Sequence, residues 1–242
     1  MKILISQKAP SNTAAYDAIA NKYGAQFEFR PFFLVQPLSV NEFRAQRVNP
    51  ADFTAVTFSS RHAIDAYFAL CDLVRFKVPE SMKYFCTTEQ VATYLQKHIV
   101  YRKRKIFYGD GTPASVVALA SGKHKDETFL ITGSDASKGA PLAGLFTAAG
   151  LKNTSAAIIK SVPQDLSDLN LHDYGIIVLY NPSDVQSLFE NFPSFEQGDL
   201  KIMAYGKSVV KAIEDAGLRA DITGPTPAAP SVAKTLEVYL SK

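Results

Sequence analysis

Short apolar runs recur along this chain, each closed by a polar turn and followed by residues at helical spacing. Lys2-Ile3-Leu4-Ile5-Ser6 is the first. A run so short, apolar throughout and ended by polar residues, predicts a buried parallel strand. Pro10-Ser11-Asn12-Thr13 supplies helix-start chemistry for Ala14 to Tyr23, and Gly24 ends that helix. The stretch Phe27 to Val35 alternates and then becomes continuously apolar. Pro31 has no N–H to give a central ladder, so the pattern predicts a second strand running into an extended connection. Pro37-Leu38-Ser39 then opens a short helix around Asn41 to Arg47.

After this the strand–turn–helix unit repeats in two ordered series of three. In the first, Val56-Thr57-Phe58 enters Ser59-Ser60-Arg61-His62, Lys83-Tyr84-Phe85-Cys86 enters Thr87-Thr88-Glu89, and Lys105-Ile106-Phe107-Tyr108 enters Gly109-Asp110-Gly111-Thr112. A fourth unit is Thr128 to Thr132, then Gly133-Ser134-Asp135, then a helix near Pro141 to Ala149 closed by Gly150. Ala156 to Val162 is strand-like and leads into an acidic connector, Asp165 to Leu169. In the second series Val178-Leu179-Tyr180 enters Asn181-Pro182-Ser183-Asp184 and Met203-Ala204-Tyr205 enters Gly206-Lys207-Ser208. Asp221-Ile222-Thr223 then enters Gly224-Pro225-Thr226-Pro227.

Three units are too few for a full sheet, so the N-terminal unit must complete the second series. The expected fold is α/β: two flavodoxin-like parallel-sheet domains joined by a two-stranded linker, one of them discontinuous. The boundaries expected are 1–34 with 173–242 for the discontinuous domain, 39–160 for the inserted one, and connectors at 35–38 and 161–172. Alternating strands and helices make the sheets parallel with right-handed crossovers. Their carboxyl edges would then be two ligand-binding rims facing one site.

Composition narrows the class. The 242 residues are 47% hydrophobic and 20% charged, ordinary for globular cores. A net charge of +3 is too small to imply nucleic acid. Cys71 and Cys86 lack metal or redox spacing, which points to buried thiols in a reducing compartment. The N-terminal apolar run is too short for a signal peptide, and no stretch approaches the ~20 apolar residues of a membrane span. The expectation is a cytoplasmic monomer with no nucleic-acid or membrane partner and no metal site.

Several sites are excluded by spacing. Gly206-Lys207-Ser208 resembles the end of a P-loop, but Lys201 stands where that motif needs glycine. No G-x-G-x-x-G follows a strand, no nucleophile elbow is present, and the four histidines are scattered. Ser6-Gln7-Lys8 offers no acidic cluster after the first strand. The run Arg102-Lys103-Arg104-Lys105 reads as a solvated loop. What remains is the set of hydroxyl, amide and glycine turns at helix starts. Capping accounts for any one of them. As a set they lie at one edge of each sheet, where free N–H groups and helix dipoles attract anions. The candidate binding residues are Ser59, Ser60, Arg61, Thr87, Thr88, Gly109, Thr112, Gly133 and Ser134 on one rim. On the other they are Asn181, Pro182, Ser183, Gly206, Lys207, Ser208 and Thr226.

In these residues the chain resembles the uroporphyrinogen-III synthase family, in its Bacteroidetes-like version. The stretch Asp52 to Ala63 is similar to the family's strand into "TS-x-x-A", and Tyr180-Asn181-Pro182-Ser183 to "F-S-P-S". Ala204 to Ser208 lies where the family has "I-G-x-x-T-A", and Pro225-Thr226-Pro227 where it has "P-T". The likeness runs in order along essentially the whole chain. It implies the discontinuous two-domain fold and a cofactor-free hydro-lyase reaction. The substrate would be hydroxymethylbilane, a linear tetrapyrrole with eight carboxylates. The enzyme would remove its terminal hydroxyl as water, invert the last pyrrole ring and close the macrocycle to uroporphyrinogen III. Many members carry a tyrosine on the returning connector. Ile159 stands there in this chain, leaving Tyr180 and Tyr205 as candidate catalytic groups. The alternative is a diverged, non-catalytic member that binds a tetrapyrrole or another polycarboxylate.

Overall fold

The computed structural model describes residues 1–134 and 141–241. In chain order the elements are β1 (Lys2–Ile5), α1 (Ala14–Tyr23), β2 (Gln26–Phe29), β3 (Phe33–Pro37), α2 (Val40–Ala45), β4 (Ala55–Phe58), α3 (Arg61–Leu73), β5 (Lys83–Cys86) and α4 (Glu89–Tyr94). They continue with β6 (Ile106–Tyr108), α5 (Pro113–Ser121), β7 (Phe129–Ser134), α6 (Pro141–Ala148), β8 (Asn153–Pro163), β9 (Tyr174–Leu179) and α7 (Pro182–Asn191). The last are β10 (Lys201–Tyr205), α8 (Lys207–Asp215), β11 (Ile222–Gly224) and α9 (Val232–Leu240). The chain forms two compact units, Met1–Leu34 with Val162–Lys242, and Val35–Ser161.

The discontinuous unit holds a five-stranded sheet in the order β11-β10-β9-β1-β2, parallel at every pairing. Counted within the unit this is the flavodoxin order, 2-1-3-4-5. Its direction of winding reverses between β1 and β9, the switch point where open α/β sheets hold ligands. Ile3, Ile5, Ile176, Val178 and Met203 pack on one face, and Leu4, Ile177, Leu179, Ile202 and Ala204 on the other. Successive strand residues point to opposite faces and both faces are covered by helices, which is why these strands read as unbroken apolar runs.

The continuous unit holds six strands in the order β3-β8-β7-β4-β5-β6. The pairings of β4 with β5 and β7, β5 with β6, and β7 with β8 are parallel. The same alternation puts Val56, Phe58, Tyr84 and Leu130 in one core and Ala55, Phe85, Phe129 and Ile131 in the other. Cys71 and Cys86 are both buried free thiols.

Local chemistry explains the element ends. Gly24 takes a left-handed φ of 65° and its N–H bonds Ala20 O, closing α1. Ser39 and Glu42 form a reciprocal capping box at α2. Pro31 does interrupt the Phe27–Val35 run, but its second half is not a bare connection. It forms β3, the neighbour of β8, because an edge strand needs only one partner.

Candidate functional site

On the carboxyl edge of the continuous unit, three successive turns are built alike. Ser60 caps α3, its Oγ accepting from Ala63 N at 3.1 Å. Thr88 caps α4 by accepting from Val91 N at 3.3 Å, and Thr112 caps α5 by accepting from Ser115 N at 3.3 Å. Ser59 and Thr87 precede their caps, and Arg61 is the first residue of α3, its guanidinium 5.5 Å from the Tyr94 ring centroid.

The turns are laced together by backbone bonds. Thr87 N–H donates to Phe58 O, Gly109 N–H to Cys86 O and Gly111 N–H to Thr87 O, at 2.8–3.0 Å. Asp110 accepts from the Thr112 hydroxyl at 2.6 Å and the Thr112 N–H at 2.9 Å, bonds that hold its carboxyl down to about 2. Gly109 is dictated by space: a Cβ there would lie 2.0 Å from Ser115 Oγ. A shallow cavity of about 500 Å³ opens beside this turn, lined by Tyr108, Gly109, Asp110 and Ser115.

Two expected residues of this rim are placed differently. Gly133 and Ser134 are not turn residues but the last residues of β7, still paired with Ala157 and Ile159 of β8 across a register shift. The long partner strand carries the ladder past the point where the sequence pattern ends it. Asp135, read as part of the same turn, lies outside the described residues.

On the discontinuous unit, the β9–α7 turn is organised by a residue that the polar pattern does not single out. Asp184 is fully buried. Its Oδ2 accepts from Ser6 Oγ at 2.8 Å, Tyr180 N–H at 2.8 Å and Asn181 N–H at 2.9 Å. Its Oδ1 is buried without a hydrogen-bond partner. Burial pushes the carboxyl up to about 6, against the bonds from Tyr180 N–H, Ser6 and Asn181 N–H, which favour the ion. The Asn181 N–H at this helix start is therefore taken by the chain's own carboxylate. Pro182 and Ser183 are the first two residues of α7.

Gly206 caps α8 at φ 119° and ψ 149°, a conformation open only to glycine, and its N–H donates to Gly224 O at 2.7 Å. Lys207 and Ser208 stand inside the first turn of α8 and are exposed. Thr226 is not at a helix start. It exchanges backbone bonds with Ala229, and α9 is capped five residues later by Ser231, which accepts from Lys234 N at 3.2 Å. Pro225, Pro227 and Pro230 spread the connection over a longer extended turn.

The two tyrosines lie together here, ring centroids 5.5 Å apart. Tyr205 donates its hydroxyl to Pro230 O at 2.8 Å. Burial, with Tyr16 alongside, pushes the Tyr180 phenol well above its ordinary value.

The larger cavity, about 770 Å³, lies elsewhere. Its lining residues, among them Leu169, His172, Tyr174, Phe192, Phe195 and Leu200, stand at and before the starts of β9 and β10. That is the wrong end of the sheet for the turns, and we assign it no part in the site. Among the described residues no group of three or more His, Cys, Asp or Glu could hold a metal ion, and no helix is long and apolar enough to cross a membrane.

Sheet order and turn chemistry together define a doubly wound α/β protein with polar helix starts along the carboxyl edge of each sheet. The family model for uroporphyrinogen-III synthase HemD matches residues 14–234, and the chain belongs to this family. The fold is similar to that of a mutant uroporphyrinogen III synthase from Thermus thermophilus, with a TM-score of 0.57 and 15% identity over 99% of this chain and 97% of that one. It is likewise similar to the uroporphyrinogen-III synthetase of Helicobacter pylori, with a TM-score of 0.56 and 14% identity over 99% and 98%. No curated protein sequence matches the chain.

Proposed function

We propose that this protein is a uroporphyrinogen-III synthase, a cofactor-independent hydro-lyase of tetrapyrrole biosynthesis. It would convert hydroxymethylbilane to uroporphyrinogen III with loss of water and inversion of the last pyrrole ring. Membership of the family over residues 14–234 carries this reading. The chemistry of the rims supports it. A flexible substrate with eight carboxylates needs many weak anion contacts and a fixed geometry more than a strong acid or base. Helix starts capped by Ser60, Thr88, Thr112 and Gly206 offer N–H groups and dipole ends for that purpose.

Tyr180 and Tyr205 are the candidate proton donors to the departing hydroxyl, and each hydroxyl already has a partner, Tyr16 for Tyr180 and Pro230 O for Tyr205. A coupled assay with freshly made hydroxymethylbilane tests the whole reading, scoring isomer III against the isomer I that forms unaided. Isomer III in excess is expected. Isomer I alone, at the uncatalysed rate, would leave the diverged binding protein as the surviving description.

A further inference from the structure

The carboxyl group of Asp184 sits at the switch point of the discontinuous sheet, between the ends of β1 and β9. An acidic residue three places into a helix, accepting from backbone N–H groups before it, is an ordinary capping arrangement. Three observations exceed that role. The side chain is fully buried, one of its oxygens has no partner, and the other draws a third donor from the far end of the chain, Ser6. Capping α7 requires only one acceptor oxygen, so it does not account for the burial of the second. Burying an acceptor unsatisfied costs stability and calls for an explanation.

Three donors converge on one oxygen. Two are the N–H groups of Tyr180 and Asn181, which fix the backbone from which the Tyr180 ring projects toward Tyr205. The third ties that turn to Ser6, the residue that follows β1. Bonds to an ionised acceptor are shorter and about twice as strong as neutral ones. The clamp is therefore tight while Asp184 is ionised and loosens when a proton settles on the unpartnered oxygen.

We propose that Asp184, with Ser6, is the positioning residue of the switch-point turn, holding Tyr180 and Asn181 in their working geometry only when its carboxyl is ionised. This deepens the synthase reading and rests on it. The groups that act on Asp184 are the Ser6 hydroxyl at the end of β1 and the Tyr180 and Asn181 N–H groups at the end of β9. The titratable side chains beside Tyr180 are Tyr16 on α1 and Tyr205 on β10, and Lys207 stands exposed at the start of α8 on the same edge.

The test compares wild type, Asp184→Asn and Ser6→Ala, measuring kcat and KM for isomer III from pH 5 to pH 8 beside each variant's thermal stability. Asparagine keeps one acceptor oxygen and imitates the protonated acid. Wild-type kcat is expected to rise through an inflection near pH 6. The asparagine variant should hold the low-pH rate at every pH, about tenfold below the wild-type plateau with KM little changed. Ser6→Ala removes one donor from the ion and should move the inflection up by about one pH unit. That variant leaves the carboxyl in place and keeps the test decisive should Asp184→Asn fail to fold. If wild type makes isomer III while both folded variants keep its pH profile and kcat, Asp184 is a structural cap and the inference is overturned alone. If wild type makes only isomer I, the synthase reading falls and takes this inference with it.

Discussion

Removing the charge of Asp184 should change how stability depends on pH, and by a calculable amount. The carboxyl titrates at about 6 in the folded chain against an ordinary value of 3.8. Each factor of ten between folded and unfolded acidity corresponds to about 1.4 kcal/mol, so the difference is worth about 3 kcal/mol. Full burial means solvent screening does not reduce it. The direction follows from proton binding. Well below 3.8, under about pH 3, the group is protonated folded or unfolded and costs nothing. As pH rises through 3.8 toward 6 the unfolded chain releases its proton first, and the folded state loses stability. Above about pH 7 the whole cost is present. In Asp184→Asn nothing titrates at this position, so the variant is the baseline. Urea titrations of both proteins from pH 4 to pH 7.5, followed by far-ultraviolet circular dichroism, report the difference; the chain has no tryptophan to follow instead. With two compact units, each transition is fitted separately. Wild type should lose about 2.4 kcal/mol relative to the variant between pH 4 and pH 7, the rest of the cost having appeared below pH 4. A constant difference, or wild type gaining with pH, would mean that the three hydrogen bonds outweigh burial and that the acid is held low.

Two glycines of the rims should fail for different reasons. Gly109→Ala forces Ser115 Oγ away from its bonds to Asp110 N–H and Thr112 O, and adding Ser115→Ala should recover part of the lost melting temperature. Gly206→Ala meets no atom within 4 Å but must hold φ 119°, so it should cost ~1–3 kcal/mol with no second-site relief from neighbouring side chains. Thr88→Ala and Thr112→Ala should each lose ~1 kcal/mol in thermal unfolding while isomer III formation falls little, since the backbone N–H groups remain. Phe146→Ala on α6 removes a fully buried ring 5.0 Å from Phe129 and should cost ~3–5 kcal/mol, read by denaturant midpoint.

What the sequence determined by itself is local. Apolar runs buried on both faces marked β1, β4, β5 and β9, and Ser60, Thr88 and Thr112 were legible as caps because capping needs only the next three residues. The incomplete second series already required the first strand to join it, which the β1–β9 pairing realises. What only the tertiary structure decided depends on partners distant in sequence. Gly133 and Ser134 stay in a strand because β8 extends beside them, and Thr226 lies short of a helix whose cap is Ser231. Most of all, Asp184 reads locally as a routine helix-start acid and Ser6 as an inert polar stop. Their hydrogen bond spans 178 residues. It exists because the sheet order places the first strand beside β9, and no periodicity or spacing along the chain encodes which strand becomes the neighbour of which.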